Sequence, residues 1–208
     1  KRQYFYLVNS SWIHNAPISH LNDHNSEMIE DETDSNEGSN SDIVGTNILF
    51  YGVPGAGKSY EIDQMIVQEY SERVVFHPDY TYSDFVGQIL PRIIKRDGET
   101  EGKLRYVFEP GPFTKMLKKA NEDSDHMYYL VIEEINRGNA PAIFGDIFQL
   151  LDRNDNGSGK YHISNYDMAK VVYGDDYEDE IIKMPANLTL LATMNTSDQN
   201  VFTLDTAF

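Results

Sequence analysis

The chain has 208 residues, 40% of them hydrophobic and 12% aromatic, enough to bury one full core and ordinary for a globular protein. Its 34 acidic residues against 17 basic ones give a formal charge of -17, which repels phosphate backbones and argues against a general DNA-binding surface, while a contact site for an anionic nucleotide stays open. The absence of cysteine excludes disulfides, thiolate metal sites and cysteine nucleophiles, and fits a reducing cytoplasm.

No apolar run approaches the roughly 20 residues of a membrane span, and no signal peptide follows Lys1-Arg2-Gln3. The expected location is the cytoplasm, with no membrane partner. The missing initiator methionine reads as the mark of a piece of a longer chain. Residues 1–20 carry a strand-like run, Tyr4 to Val8, followed by Trp12 and Pro17, and read as a fragment or edge of a preceding segment. Between His20 and Gly45 stand eight acidic residues and no Lys or Arg, so residues 21–45 read as a flexible acidic linker.

From Thr46 to Phe208 strands and helices alternate. Asn47 to Tyr51 predicts a buried strand, and Ser59 to about Glu72 a helix with Ile62, Met65 and Ile66 at helical spacing. Val74 to Phe76 predicts a second strand, Thr114 to Ala120 a short helix, and Tyr128 to Ile132 a third strand. A helix is expected from about Ala140 to Leu151, capped by Asn139 with Pro141 in its first turn; Ile143, Ile147 and Leu150 would face the sheet. Leu188 to Met194 predicts a fourth strand, residues 154–160 a turn and 175–180 a solvated acidic loop. Alternation of this kind predicts an α/β fold, a mostly parallel sheet flanked by helices.

The strongest chemical signal is Gly52-Val53-Pro54-Gly55-Ala56-Gly57-Lys58-Ser59, a complete G-x-x-x-x-G-K-[ST] loop between strand and helix. Its glycines let backbone N–H groups turn toward phosphate oxygens, and the helix N-terminus adds the positive end of its dipole. Lys58 is expected to reach the β- and γ-phosphates and the Ser59 hydroxyl to ligate Mg²⁺. Gly52, Pro54, Gly55, Ala56, Gly57, Lys58, Ser59 and Tyr60 form the candidate nucleotide-binding set.

The second signal is the apolar run Tyr128 to Ile132 ending in Glu133-Glu134, a Walker B pattern. Glu133 would hold Mg²⁺ with Ser59, and Glu134 would polarise the attacking water. Most such motifs carry Asp first, so the longer Glu133 side chain points to contact through a water. Asn195, at the end of Leu190 to Met194, stands where a sensor residue would orient that water. Alone, two acids after a strand are more often the start of a solvated loop and a lone Asn a turn cap; the loop some 75 residues upstream reverses that reading.

Glu133-Glu134-Ile135-Asn136-Arg137-Gly138-Asn139 resembles the (D/E)EINR(G/A)N signature of McrB-type AAA+ proteins. Thr193 to Asp198 resembles their TMNT(A/S)D element, and Leu204 to Ala207 their LDxAL stretch. Phe76 to Pro78, Tyr82 to Phe85 and Pro110 to Phe113 are similar to family segments between the Walker motifs. The resemblance covers roughly Thr46 to Phe208 and implies a P-loop NTPase with an AAA+ core. It also implies a GTP-hydrolysing hexameric ring, a McrC-like endonuclease subunit as partner, and DNA engaged through other domains. The position of Asn195 to Asp198 on a strand argues against a guanine-reading motif, so the nucleotide is GTP or ATP, the latter being what the related MoxR and dynein-like groups use. After Phe208 the pattern would continue with arginine fingers and a helical lid; without them the chain is expected to bind nucleotide better than it hydrolyses it.

Arg137 is a weak substitute for such a finger, and an interface salt bridge is its plainer role. His77 reads as a packed histidine, His126 and His162 as solvated. The 14 tyrosines, scattered and without basic neighbours, read as packing residues rather than base-stacking platforms. Two readings from different classes stand. One is an NTPase motor module; the other is a nucleotide-gated assembly scaffold with little hydrolysis.

Overall fold

The computed structural model describes residues 44–95, 97–98 and 100–196, and the backbone of 5–8 and 11–14. Its centre is a sheet in the order β2-β1-β3-β10-β7-β4. Four of these strands are parallel: β3 (Asn47–Gly52), β10 (Leu188–Asn195), β7 (Tyr128–Glu133) and β4 (Ser71–Val75). The antiparallel pair β1 (Phe5–Val8) and β2 (Ser11–His14) continues the sheet beyond β3. The acidic stretch 21–43 and the Leu204 to Ala207 stretch lie outside the described residues.

Near-continuous apolar runs in β7 and β10 follow from burial on both faces, as a helix-covered parallel sheet requires. One face carries Ile48, Phe50, Val131 and Leu191 beneath α1 (Lys58–Met65), whose Ile62 is fully buried. The other face supports the larger core. There α3 (Pro112–Glu122) buries Phe113, Met116, Leu117 and Ala120 at helical spacing. Phe85 of α2 (Tyr82–Phe85) sits among Phe76, Phe113 and Phe144 with ring centroids 5.2–5.5 Å apart. Each such side chain contributes roughly 1.5–3 kcal/mol by leaving water.

Two predicted helices are shorter than their sequence patterns. The helix expected to reach Glu72 ends at Met65, because Ser71 to Val75 is claimed by pairing with β7. Two turns suffice to bury Ile62, and Tyr70 stacks on His126 at 4.5 Å instead. The helix expected over Ala140 to Leu151 is α4 (Ala140–Phe144) followed by a 3₁₀ stretch, Gly145–Leu151. Gly145, with φ 51° and ψ −128°, breaks the α-helix, a conformation that costs other residues dearly. Ile143, Ile147 and Leu150 are nonetheless all buried. The Asn139 cap is present, its side chain accepting from the Ala142 N–H.

Sequence reading missed a long antiparallel hairpin, β5 (Gly87–Ile94) and β6 (Lys103–Pro110), and a second unit of β8 (His162–Ser164), α5 (Tyr166–Tyr173) and β9 (Ile181–Lys183). Below the sheet, Arg153 donates to Asn47 Oδ1, the Gly157, Pro185 and Leu188 carbonyls, and so ties the 154–159 turn to the starts of β3 and β10. Burial among neutral dipoles holds its guanidinium down to about 10.

Candidate functional site

Parallel strands put their C-terminal ends on one edge, and register decides which side chains meet there. Asn195 lies opposite Gly52, Ala192 opposite Ile132, and Val75 opposite Glu133. The loop after β3 therefore opens beside the ends of β10 and β7. Gly55 and Gly57 take φ of 73° and 94°, which lets the loop curl and deliver Lys58 into the first turn of α1.

Lys58 is 7% exposed, and its Nζ donates to the Gly52 and Val53 carbonyls, each at 3.1 Å, and to Asn195 Oδ1 at 2.7 Å. The other end of the same amide donates from Nδ2 to Glu134 Oε1 at 2.5 Å. Asn195 thus joins the loop lysine to Glu134, the acid that follows β7. Its backbone carbonyl accepts from Asn136 Nδ2 at 2.9 Å, which fixes the strand end on which the amide rides.

Glu134 turns sharply out of β7 in the left-handed conformation, φ 57° and ψ 45°, rare for a non-glycine residue and common at functional sites. Its N–H donates to Thr193 Oγ1 at 3.0 Å, so the turn is pinned to β10. Its Oε2 is buried and accepts no hydrogen bond among the described residues, although Arg137 Nε lies 3.4 Å away. The distance gives charge attraction without a directed bond. Asn136 Oδ1 is likewise buried without a donor.

Glu133 is held on both oxygens. Oε2 accepts from Ser59 Oγ at 3.3 Å and from Thr193 Oγ1, while Oε1 accepts from Arg73, whose other nitrogen binds Asp63 of α1. A Mg²⁺ ion prefers hard oxygen donors and keeps several positions for water and phosphate. The hydroxyl of Ser59 beside Glu133 Oε2 fits that need, and no group of three His, Asp or Glu among the described residues offers an all-protein cage.

The remaining candidates divide. Pro54 and Gly55 are exposed, Ala56 and Gly57 half-buried, in the loop itself. Tyr60 is 61% exposed on α1. His77 is exposed with its ring edge-on to Tyr80, not packed, and His126 is exposed, as expected, with its ring bonded to Asp123 at 2.8 Å. His162 is exposed. Thr193, Arg73, Asp63 and Asn136 were missed as site residues. Alternation along β10 puts residue 193 on the face of 195, a signal that could have found Thr193. Arg73 and Asp63 had none.

Residues 47–208 match the model of the AAA domain, dynein-related subfamily. The chain belongs to this family. Over 185 residues it is 40% identical to the type II restriction enzyme BsuMI component YdiS of Bacillus subtilis (strain 168), an alignment covering 78% of this chain and 54% of that protein. Over 168 residues it is 25% identical to the type IV methyl-directed restriction enzyme EcoKMcrB subunit of Escherichia coli (strain K12), covering 77% of this chain and 33% of that one. The chain therefore spans about half the length of the first relative and a third of the second. It is a McrB-like AAA+ domain with the P-loop NTPase fold. Its family supports nucleotide hydrolysis in general terms, with a nucleoside triphosphate as substrate. No helix of this AAA domain, among the described residues, is long and apolar enough to cross a membrane.

Proposed function

We propose that this AAA domain binds and hydrolyses a Mg-complexed nucleoside triphosphate, GTP or ATP, as the motor module of a DNA restriction complex. The observation that carries the reading is the Asn195 amide, bonded at one end to Lys58 and at the other to Glu134. A phosphate-binding cation and a water-activating carboxylate separated by one amide group define a space of the right scale for a γ-phosphate and its attacking water.

Lys58 would exchange the Gly52 and Val53 carbonyls for phosphate oxygens, gaining a charge-assisted bond for neutral ones. Backbone N–H groups of the loop and the first turn of α1 would receive the rest of the phosphate charge. Ser59 and Glu133 would hold Mg²⁺, which supplies charge neutralisation on the phosphoryl oxygens. Glu134 would take the proton of the attacking water on Oε2, the oxygen with no hydrogen bond among the described residues. Asn195 would keep that carboxylate aimed, and Arg137 would hold its charge from the solvent side.

Relatives named as restriction components support the wider setting: a ring of copies, hexameric in this reading, working with a McrC-like endonuclease subunit and meeting DNA through other domains. A net charge of -17 keeps this module off the DNA itself. Competition of GTP against ATP for binding, followed by steady-state phosphate release with each, tests the proposal. Turnover of either nucleotide that depends on Mg²⁺ and on Glu134 sustains it; binding without turnover in the assembled complex favours a nucleotide-gated scaffold.

A further inference from the structure

We propose that Arg73 is a resident cation of the metal site, a positioning residue that holds Glu133 and makes the site accept a divalent ion only together with its nucleotide. The inference rests on the reading of Glu133 as a metal-side carboxylate. Arg73 lies on β4 at the edge of the parallel sheet, opposite Val131, while Val75 lies opposite Glu133. Arg73 and Glu133 therefore share the sheet face covered by α1, two residues apart in register. The guanidinium reaches along that face and spans two carboxylates, Glu133 Oε1 and Asp63 Oδ1 on α1.

This arrangement separates the two oxygens of Glu133. Oε1 is committed to Arg73, and Oε2 faces Ser59 and Thr193. A planar, always-charged fork suits such bridging, and the side chains of Arg73 and Glu133 are only 34% and 14% exposed, so water screens the pair incompletely. Glu133 carries one methylene more than the aspartate usual in its place. That reach lets one carboxylate touch Arg73, Thr193 and Ser59 together.

Among the described residues, the charges in contact at the site then balance before any ligand enters. Arg73 and Lys58 stand against Glu133 and Glu134, with Asp63 and Arg137 at the margins. A free divalent ion would meet a carboxylate already neutralised and two nearby cations. A triphosphate brings the missing negative charge with it. The site is thereby closed to metal alone and open to the metal–nucleotide complex.

The test uses Mn²⁺ as the probe, measured by electron paramagnetic resonance on the folded protein without nucleotide. Arg73→Gln should bind Mn²⁺ at least about tenfold more tightly than the parent, since a unit charge roughly 6 Å from a divalent ion is worth that factor even at the dielectric of water. Arg73→Lys, which keeps the charge, should stay within about threefold of the parent, whereas a role in packing alone would move both variants alike. Adding Glu133→Gln to Arg73→Gln should abolish the gain. Arg73→Thr, a better strand former, replaces the Gln variant if folded yield falls. Unchanged or weaker Mn²⁺ binding in the charge-removed variants overturns the proposal. If Mn–GTP and Mn–ATP still bind and broaden the signal in that case, the metal-site reading survives; if neither binds, both fall.

Discussion

Replacing Glu134 by Gln removes the proposed base while changing almost nothing else. The amide oxygen can still accept from Asn195 Nδ2, side-chain volume is conserved, and the left-handed backbone stays pinned by the N–H donated to Thr193. What vanishes is the basic lone pair on Oε2, the buried oxygen that accepts no hydrogen bond among the described residues. A positioned general base is worth about 10²–10⁴ in rate, or roughly 3–5 kcal/mol at 1.36 kcal/mol per decade. Binding should hold or tighten, because the lost negative charge lies next to the expected γ-phosphate. Single-turnover phosphate release in the assembled protein measures the chemical step, and fluorescence anisotropy with a labelled nucleotide measures binding. A fall in release smaller than about tenfold, with binding intact, refutes the assignment of Glu134. A parallel loss of binding would mean that the substitution disturbed the loop instead.

Three other outcomes follow from the same geometry. Lys58→Ala removes the side chain that bonds the loop carbonyls and Asn195, and calorimetry should find nucleotide affinity reduced by at least tenfold with the fold retained. Arg153→Met strips donors from Asn47 Oδ1 and three carbonyls; unfolding in urea should show a loss of about 3 kcal/mol, and a loss under 1 kcal/mol would contradict the account of that cluster. Burial, reinforced by Asp84, Asp146 and Asp123 respectively, pushes Tyr80, Tyr82 and Tyr128 up to about 12. Their folded values lie above the unfolded value near 10, so the stability they confer is intact below pH 10 and drains away as pH rises through 12. Ultraviolet titration should show these three tyrosines ionising late, with unfolding setting in over that window.

Periodicity carried much of the architecture. The apolar runs at Asn47, Tyr128 and Leu188 are parallel strands because only strands covered on both faces are apolar throughout, and the loop at Gly52 announces its own place between strand and helix. Helix lengths were less legible. The pattern through Tyr70 and the pattern through Leu151 keep helical spacing beyond the point where β4 pairing and Gly145 end the α-helices. The β5–β6 hairpin went unread because its strands mix Arg92, Lys103 and Arg105 with apolar residues and lie apart from the main sheet.

By itself, the sequence specified which residues could cradle a phosphate and which acids end a buried strand, since glycine, lysine, hydroxyl and carboxylate chemistry is written into residue type and spacing. Tertiary structure alone decided that Asn195 lies between Lys58 and Glu134, that Thr193 serves both Glu133 and Glu134, and that Arg73 bridges Glu133 to Asp63. Those contacts join residues 10 to 137 positions apart. They depend on the register of three parallel strands, and register is fixed by how whole faces pack rather than by any local run of residues.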